Sequence, residues 1–417
     1  MEEQITIDQH YVPRFYMKNF AITKGEGKKE KSLISFFQFD KEICRKNIPT
    51  KSVCYEQYFY GEDGNIEKKL AAKEGKWGKT INKIVRKPDE KLLSEDILLL
   101  KEFGVYQYGR TLAMFNYNKQ AISDMLADSF SNFNPDIDSE IIRDKVDDKV
   151  QNEMSASQIV EMSNDLVEEL DDLEVMVVEF DTQGKLITSD MPVIMTNPFS
   201  IDKAGMANVG VVMMYPISAK VLIVIYDSKI YTSFNQYIKN SNEKDIVNLN
   251  KYQVLSAEER IMSDKLENLV AIMADKEVCE KREIFRERKK VHSSYDGIGT
   301  FFAMHSRSLK YIFPISFLKL SRAIRKIPVE CIEVFKRKYD RDSRIALLCR
   351  IYRLPDLLKD NKDFPRTEIL KQKEGYSKLL RFMDDYWEVP ISERTITPEL
   401  MHKLKTVPTT YYPLDNQ

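Results

Sequence analysis

The sequence predicts an α+β fold: an antiparallel sheet packed against helices, followed by a mainly helical C-terminal unit. Three observations predict it. Residues 64–170 repeat apolar positions at the helical period. Residues 173–227 switch to short apolar runs divided by turn residues. From residue 242 the helical period returns. A chain of 417 residues exceeds one ordinary core, and its 43% hydrophobic content can fill more than one. We therefore expect two domains, an α+β domain over 1–290 and a basic helical unit over 291–417.

Each element has a local reason. Pro13 suits the first turn of a helix through Arg14–Phe20, because its missing N–H would have no partner there anyway. Lys24–Lys31 is a glycine- and lysine-rich turn, and Leu33–Phe39 reads as a strand. A helix is expected from Asn65 to Arg86, with Ile66, Leu70, Trp77, Ile81, Ile84 and Val85 on one face. Ser94 caps the next, which is apolar on most sides and runs through Gln120. Its Arg110 shares a face with Leu99, Phe103, Tyr106, Met114 and Tyr117. Asp138–Leu170 is an acidic, more exposed helical stretch.

Strands follow at Leu173–Phe180, Lys185–Thr188, Val193–Met195, Val209–Tyr215 and Val221–Tyr226. Their short connections favour antiparallel pairing. Pro192 holds Met191 extended, so Asp190 sits at a strand end from which it can be aimed into a cleft. Residues 242–290 are helical, and Lys276–Lys290 mixes both signs as a solvated helix does. Beyond them the pattern predicts helices at Arg307–Ile327, Glu330–Tyr339, Arg341–Tyr352 and Gly375–Trp387.

The net charge of −1 hides an asymmetry. Residues 121–182 hold roughly eighteen acids and three bases, whereas residues 305–353 hold roughly thirteen bases and four acids. Aromatics interleave the basic segment, as in Phe335-Lys336-Arg337-Lys338-Tyr339. Nucleic acid is a natural partner for such a segment, although ordinary amphipathic helices share the spacing. Five scattered cysteines contain no CxxC pair, which argues against a structural zinc site and a disulfide framework and for a reducing cytosol. No stretch reaches the ~18 apolar residues of a membrane span. A phosphate-binding glycine loop, a dinucleotide fingerprint and an HExxH helix are all missing from the sequence.

The N-terminal box Gln9-His10-Tyr11-Val12-Pro13-Arg14-Phe15-Tyr16-Met17-Lys18-Asn19-Phe20 resembles the signature of a bacterial family, domain of unknown function 4238. Glu56-Gln57-Tyr58-Phe59-Tyr60, the helical Glu67 and Glu74, Arg110-Thr111 and Ile187-Thr188-Ser189-Asp190-Met191-Pro192-Val193 are similar to later elements of that family, in order. Pro216-Ile217-Ser218 and Asn250 are weaker matches. The resemblance covers about residues 5–265 and implies a bacterial or phage-borne intracellular protein. It supplies no activity or cofactor.

Two glutamates on the first long helix carry the sharpest chemical signal. Glu67 and Glu74 lie inside the apolar stripe, two turns apart, while the lysines occupy the opposite face. Carboxylates are rarely buried unless something meets them. His10 is the lone histidine of the first 290 residues. The expected cleft joins His10, Arg14, Glu56, Glu67, Glu74, Arg110 and Asp190.

Read as an enzyme, His10, Glu67, Glu74, Arg110 and Asp190 are its catalytic residues, and Arg14, Tyr60, Lys336 and Arg337 bind substrate. Glu67, Glu74 and Asp190 would hold magnesium or manganese for hydrolysis of a phosphodiester, in the manner of a nuclease-like effector of phage defence. The other reading is a non-catalytic module that binds nucleic acid or protein, with the charged cluster as an internal ion-pair network. An open pocket with unpaired carboxylates favours the first; saturated pairing favours the second.

Overall fold

The computed structural model describes residues 6–25, 27–198, 205–232, 235–286, 291–295, 300–304, 309–322 and 324–326. The chain divides into two compact units, Met1–Leu320 and Ser321–Gln417. The architecture below is that of the first. Lys336 and Arg337, and the helices expected after residue 327, lie outside the described residues.

In chain order the elements begin with β1 (Asp8–His10), α1 (Arg14–Lys18), β2 (Ile22–Lys24), β3 (Lys31–Gln38), β4 (Ile43–Pro49) and β5 (Tyr55–Gln57). Five helices follow: α2 (Asn65–Arg86), α3 (Ser94–Gly109), α4 (Leu112–Phe133), α5 (Ser139–Glu153) and α6 (Ala156–Val167). Next come β6 (Glu174–Phe180), β7 (Thr188–Ser189), β8 (Ile194–Asn197), β9 (Val212–Pro216), β10 (Val221–Tyr226) and β11 (Tyr237–Asn240). Then α7 (Glu243–Ser256), β12 (Arg260–Ser263), α8 (Leu266–Met273) and α9 (Lys276–Arg286) lead to β13 (Val291–Tyr295), β14 (Thr300–Met304) and β15 (Leu309–Lys310). The fold is α+β, as the patterning predicts.

The main sheet runs β11-β6-β10-β9-β8-β15. Its interior pairs are antiparallel, with Ile223 opposite both Val177 and Tyr215. The two outermost pairs, β11 with β6 and β15 with β8, are parallel. Every residue of β8, β9 and β10 is buried, which explains runs without alternation. A second sheet runs β2-β3-β12-β7, with β4 on β3. Thr188–Ser189 therefore belongs to a different sheet from its sequence neighbours.

Helix α3 lies at the centre. Phe103 touches Trp77 of α2, Tyr16 of α1 and Tyr215 of β9, with ring centroids 5.7, 5.7 and 5.4 Å away. Tyr16 is fully buried, and its hydroxyl donates to the Pro216 carbonyl at 2.6 Å and lies 2.9 Å from the Thr188 hydroxyl. One N-terminal side chain thus ties both sheets to the helical layer.

Four expected elements need correction; one is the helical stretch 242–290, which β12 interrupts between α7 and α8 in order to pair with β3 and β7. The helix through Gln120 is broken at Arg110. Thr111 caps a new helix by accepting from the Met114 N–H at 3.3 Å, so Arg110 shares no face with Met114 and Tyr117. The Asp138–Leu170 stretch is also divided, at Met154–Ser155. Finally, Arg307–Ile327 is not one helix, because Leu309–Lys310 pairs with β8 and completes the sheet. Residues 291–295 and 300–304 likewise form a hairpin.

Ser94 is another local surprise. It is the first residue of α3, and the work of its cap falls to Asp96, whose carboxylate accepts from the Leu93 N–H at 3.0 Å.

Candidate functional site

Arg110 is the hub of the cluster. It ends α3 and is 2% exposed. Its Nη1 donates to Glu74 at 2.7 Å, its Nε to the Tyr60 hydroxyl at 3.0 Å, and its Nη2 to the His10 carbonyl at 2.7 Å. Burial alone would favour loss of the charge, but Tyr60 and Glu74 hold the guanidinium firmly protonated. Three separate pieces of chain, β1, the turn before α2 and α2 itself, are fastened to the end of α3 through one side chain.

The turn that carries Tyr60 is itself built for this. Gln9 is fully buried, and its side-chain oxygen accepts from the Tyr60 N–H at 2.6 Å. Its amide donates to the carbonyls of Thr6 and Gly61. Gly61 and Gly64 have φ of 109° and 67°, a region that glycine enters without strain. Burial pushes the Tyr60 phenol up to about 12 against the pull of Arg110, so it stays a neutral donor and acceptor.

His10 sits beside this hub. Burial, and then the charge of Arg14, push its pKa down, while a backbone hydrogen bond to Lys51 and the charge of Glu74 oppose them. The ring is therefore neutral near pH 7. Its Nε2 is closed off from solvent and has no hydrogen-bond partner among the described residues. The ring leans on Tyr55, with centroids 5.6 Å apart. Arg14 is exposed and reaches the cluster through its field.

The two glutamates differ. Glu74 is the ion-pair partner of Arg110, with its side chain 26% exposed. Glu67 is half-buried and has no hydrogen bond or ion pair among the described residues. Burial raises its pKa, Arg110 lowers it, and Glu74 raises it again. Its place in the first turn of α2 favours the carboxylate through the helix dipole. Glu56, also expected in the cleft, is exposed on β5.

Asp190 is the clear departure from the expected cleft. Its carboxylate accepts from the backbone N–H groups of Glu258, Glu259 and Arg260 at 2.9, 2.6 and 3.1 Å. Burial pushes it up to about 6, against those bonds and the Arg260 charge. The charges that act on Glu67 come from Arg110 and Glu74, not from Asp190. Glu67, Glu74 and Asp190 thus do not form the expected metal triad. Among the described residues, no group of three or more His, Cys, Asp or Glu side chains is placed to hold a metal ion.

Sequence reasoning missed Gln9, although it immediately precedes His10, and it missed Arg260 and Arg282. Arg260 lies in the field of Asp190, Cys54 and Tyr11. Neither arginine interrupts an obvious apolar face, so periodicity had no means of flagging them. A hollow of about 390 Å³ opens beside Tyr60, lined in part by Asn65, Lys69, Ser155, Ser157 and Glu161. His10, Glu67, Glu74 and Arg110 do not line it.

Among the described residues, no helix is long and apolar enough to cross a membrane. A family model described as "Protein of unknown function (DUF4238)" matches residues 8–267. No curated protein and no solved structure gives a significant match.

Proposed function

The chain belongs to the DUF4238 family of proteins of unknown function, and we propose that its first unit is a non-catalytic binding scaffold stapled together at Arg110. One observation carries this reading. Every nitrogen of a nearly fully buried guanidinium has a fixed partner inside the protein, one of them a backbone carbonyl. A catalytic arginine turns its guanidinium towards a substrate, whereas this one is closed off from solvent and bonded on every side to its own chain. The buried Nε2 of His10 supports the same reading, since a substrate has no route to it without movement of β1 or β5.

Metal-dependent phosphodiester hydrolysis is the second reading. It is favoured by His10 and Glu67, two titratable groups that burial perturbs in the field of Arg110 and Glu74. Glu67 and Glu74 would supply oxygen ligands to magnesium or manganese; Asp190 would not, because its oxygens are occupied. Free thiols at Cys44, Cys54 and Cys279 suit a reducing bacterial cytosol for either reading.

The test measures stability and chemistry on the same full-length variants. Arg110→Ala should cost about 3 kcal/mol, the low end for a broken buried pair, because Glu74 keeps some contact with water. Glu67→Gln should leave the fold intact, and the wild type should leave a labelled duplex uncut in magnesium or manganese. Manganese-dependent cleavage abolished by Glu67→Gln, with cooperative unfolding retained, would replace the scaffold by the hydrolase.

A further inference from the structure

We propose that the outer face of α2 binds the phosphate backbone of double-helical nucleic acid. The inference rests on reading the first unit as a binding scaffold, and it names the partner. At 100° per residue, Lys68, Lys69, Lys76, Lys79, Lys83 and Arg86 fall within an arc of about 100° along the 22-residue helix. The helix has two acids, Glu67 and Glu74, and both point to the other side. The burial of those two carboxylates is what leaves the outward face with one sign of charge.

This face is unlike an ordinary solvated helix. Such helices interleave signs, as α9 does with its Glu277–Lys281 pair at 3.5 Å. On α2 the successive lysines Lys79 and Lys83 repel at the i,i+4 spacing instead. Acids from elsewhere meet it towards the ends: Glu161 lies 3.6 Å from Lys69, and Glu90 and Asp96 lie 3.4 and 2.9 Å from Lys83. Lys76, Lys79 and Arg86 are exposed and have no ion-pair partner among the described residues. Gly75, on the edge of the face, is exposed and has open space around it, which lets a bulky polyanion approach the helix closely.

The helix is also held rigidly. Trp77 is 1% exposed and donates through its indole N–H to Glu102 at 2.7 Å, and Glu102 also pairs with Lys73. Glu74 adds the bond to Arg110. The cations are thus presented on a fixed rod, so little backbone order is lost on binding.

The composition of the face selects the kind of polyanion. Helices that settle on a membrane need an apolar strip beside their charges, and here the apolar strip is buried in the protein core. Single strands are gripped by stacking aromatics, and the arc holds none. A duplex asks only for cations along its phosphates and no base contact. Binding should accordingly be indifferent to sequence.

The experiment uses the full chain and a fluorescent 20-base-pair duplex, titrated between 50 and 200 mM salt. The comparison is with Lys76→Gln/Lys79→Gln/Arg86→Gln, whose exposed positions leave the core untouched. We expect the triple variant to bind at least about tenfold more weakly at low salt, with the slope of log affinity against log salt reduced by about three. Lys145→Gln/Lys149→Gln on α5, exposed cations far from this arc in sequence, should bind as the wild type does. Equal binding by wild type and triple variant would overturn the proposal. So would a wild type that ignores duplex and binds vesicles of anionic lipid. Cutting of the duplex by the wild type would defeat the scaffold reading alone, leaving the α2 face to be judged by the triple variant's affinity.

Discussion

Asp190 and Arg282 hold one corner of the chain by its two polarities. Asp190 takes the N–H groups of Glu258, Glu259 and Arg260. Arg282 donates through Nη2 to the carbonyls of Ala257 and Glu258 at 3.3 and 2.7 Å, and its guanidinium lies 3.6 Å from the centre of the Phe39 ring. The corner leads from α7 into β12, and β12 joins β3 to β7. An aspartate that resembles a catalytic group in sequence therefore sets the alignment of the second sheet.

Asp190→Asn tests that role. The amide has one acceptor oxygen and an NH2 group that meets backbone N–H head-on. Stability should fall by about 2–3 kcal/mol, the cost of leaving buried donors unsatisfied. Urea unfolding of the variant checks it, and a loss under about 0.5 kcal/mol would remove Asp190 from the architecture.

Glu67 should make the protein less stable as pH rises. Its folded pKa lies above the ordinary 4.5 because of burial. Below pH 4.5 both states hold the proton and the favourable contribution is complete; it is lost as pH climbs through the raised folded value. Glu67→Gln should therefore raise the melting temperature at pH 7 and leave it nearly unchanged at pH 4. A lower melting temperature at pH 7 would mean that the carboxylate has a cationic partner.

His10 acts with the opposite sign. Burial and Arg14 hold its pKa below the ordinary 6.5. The unfolded chain takes up a proton below pH 6.5 that the native ring refuses, so this stability is present above 6.5 and lost on acidification. His10→Gln should flatten the pH dependence of unfolding between pH 5 and 7, in amounts of roughly 1 kcal/mol or less. An NMR titration placing the imidazole above 6.5 would contradict the burial argument.

Gly104→Ala sets two effects against each other. Alanine stabilises a helix interior over glycine by up to about 1 kcal/mol. Here its Cβ would lie 2.9 Å from the Met213 sulfur and 3.2 Å from a Tyr215 ring carbon. Tyr215 cannot swing aside, because its hydroxyl is bonded to the Leu100 carbonyl at 2.7 Å. Overpacking at about 1–3 kcal/mol should win, and calorimetry should show a lower melting temperature.

The folding unit should extend beyond the family match. Asp245 accepts from the Ser316 N–H at 2.8 Å, Tyr252 exchanges hydrogen bonds with the backbone of Phe313, and β15 adds to the sheet. A chain ending at residue 267 should aggregate or melt without cooperativity, whereas one ending at Leu320 should unfold in a single transition. Cooperative unfolding of the shorter chain would refute this.

Much of the first unit was legible from one dimension. The 3.6 period of α2, the unbroken apolar runs of β9 and β10, and the inward glutamates all report local geometry and burial, which a sequence encodes directly. That Arg110 needs partners was readable too. The break at Arg110 was less so, because flanking apolar residues carry the helical period straight across it, and only the Thr111 cap stops it. The strand at Leu309–Lys310 was hidden because two residues have no period.

The sequence by itself determined which groups must be buried, and therefore that Glu74 and Arg110 required company. Tertiary structure alone decided which company: Glu74 went to Arg110, while Asp190 went to a corner sixty-eight to seventy residues further along. The physical reason is that burial is a property of one residue and its near neighbours, whereas pairing depends on where distant backbone N–H groups and cations come to rest when the sheets close.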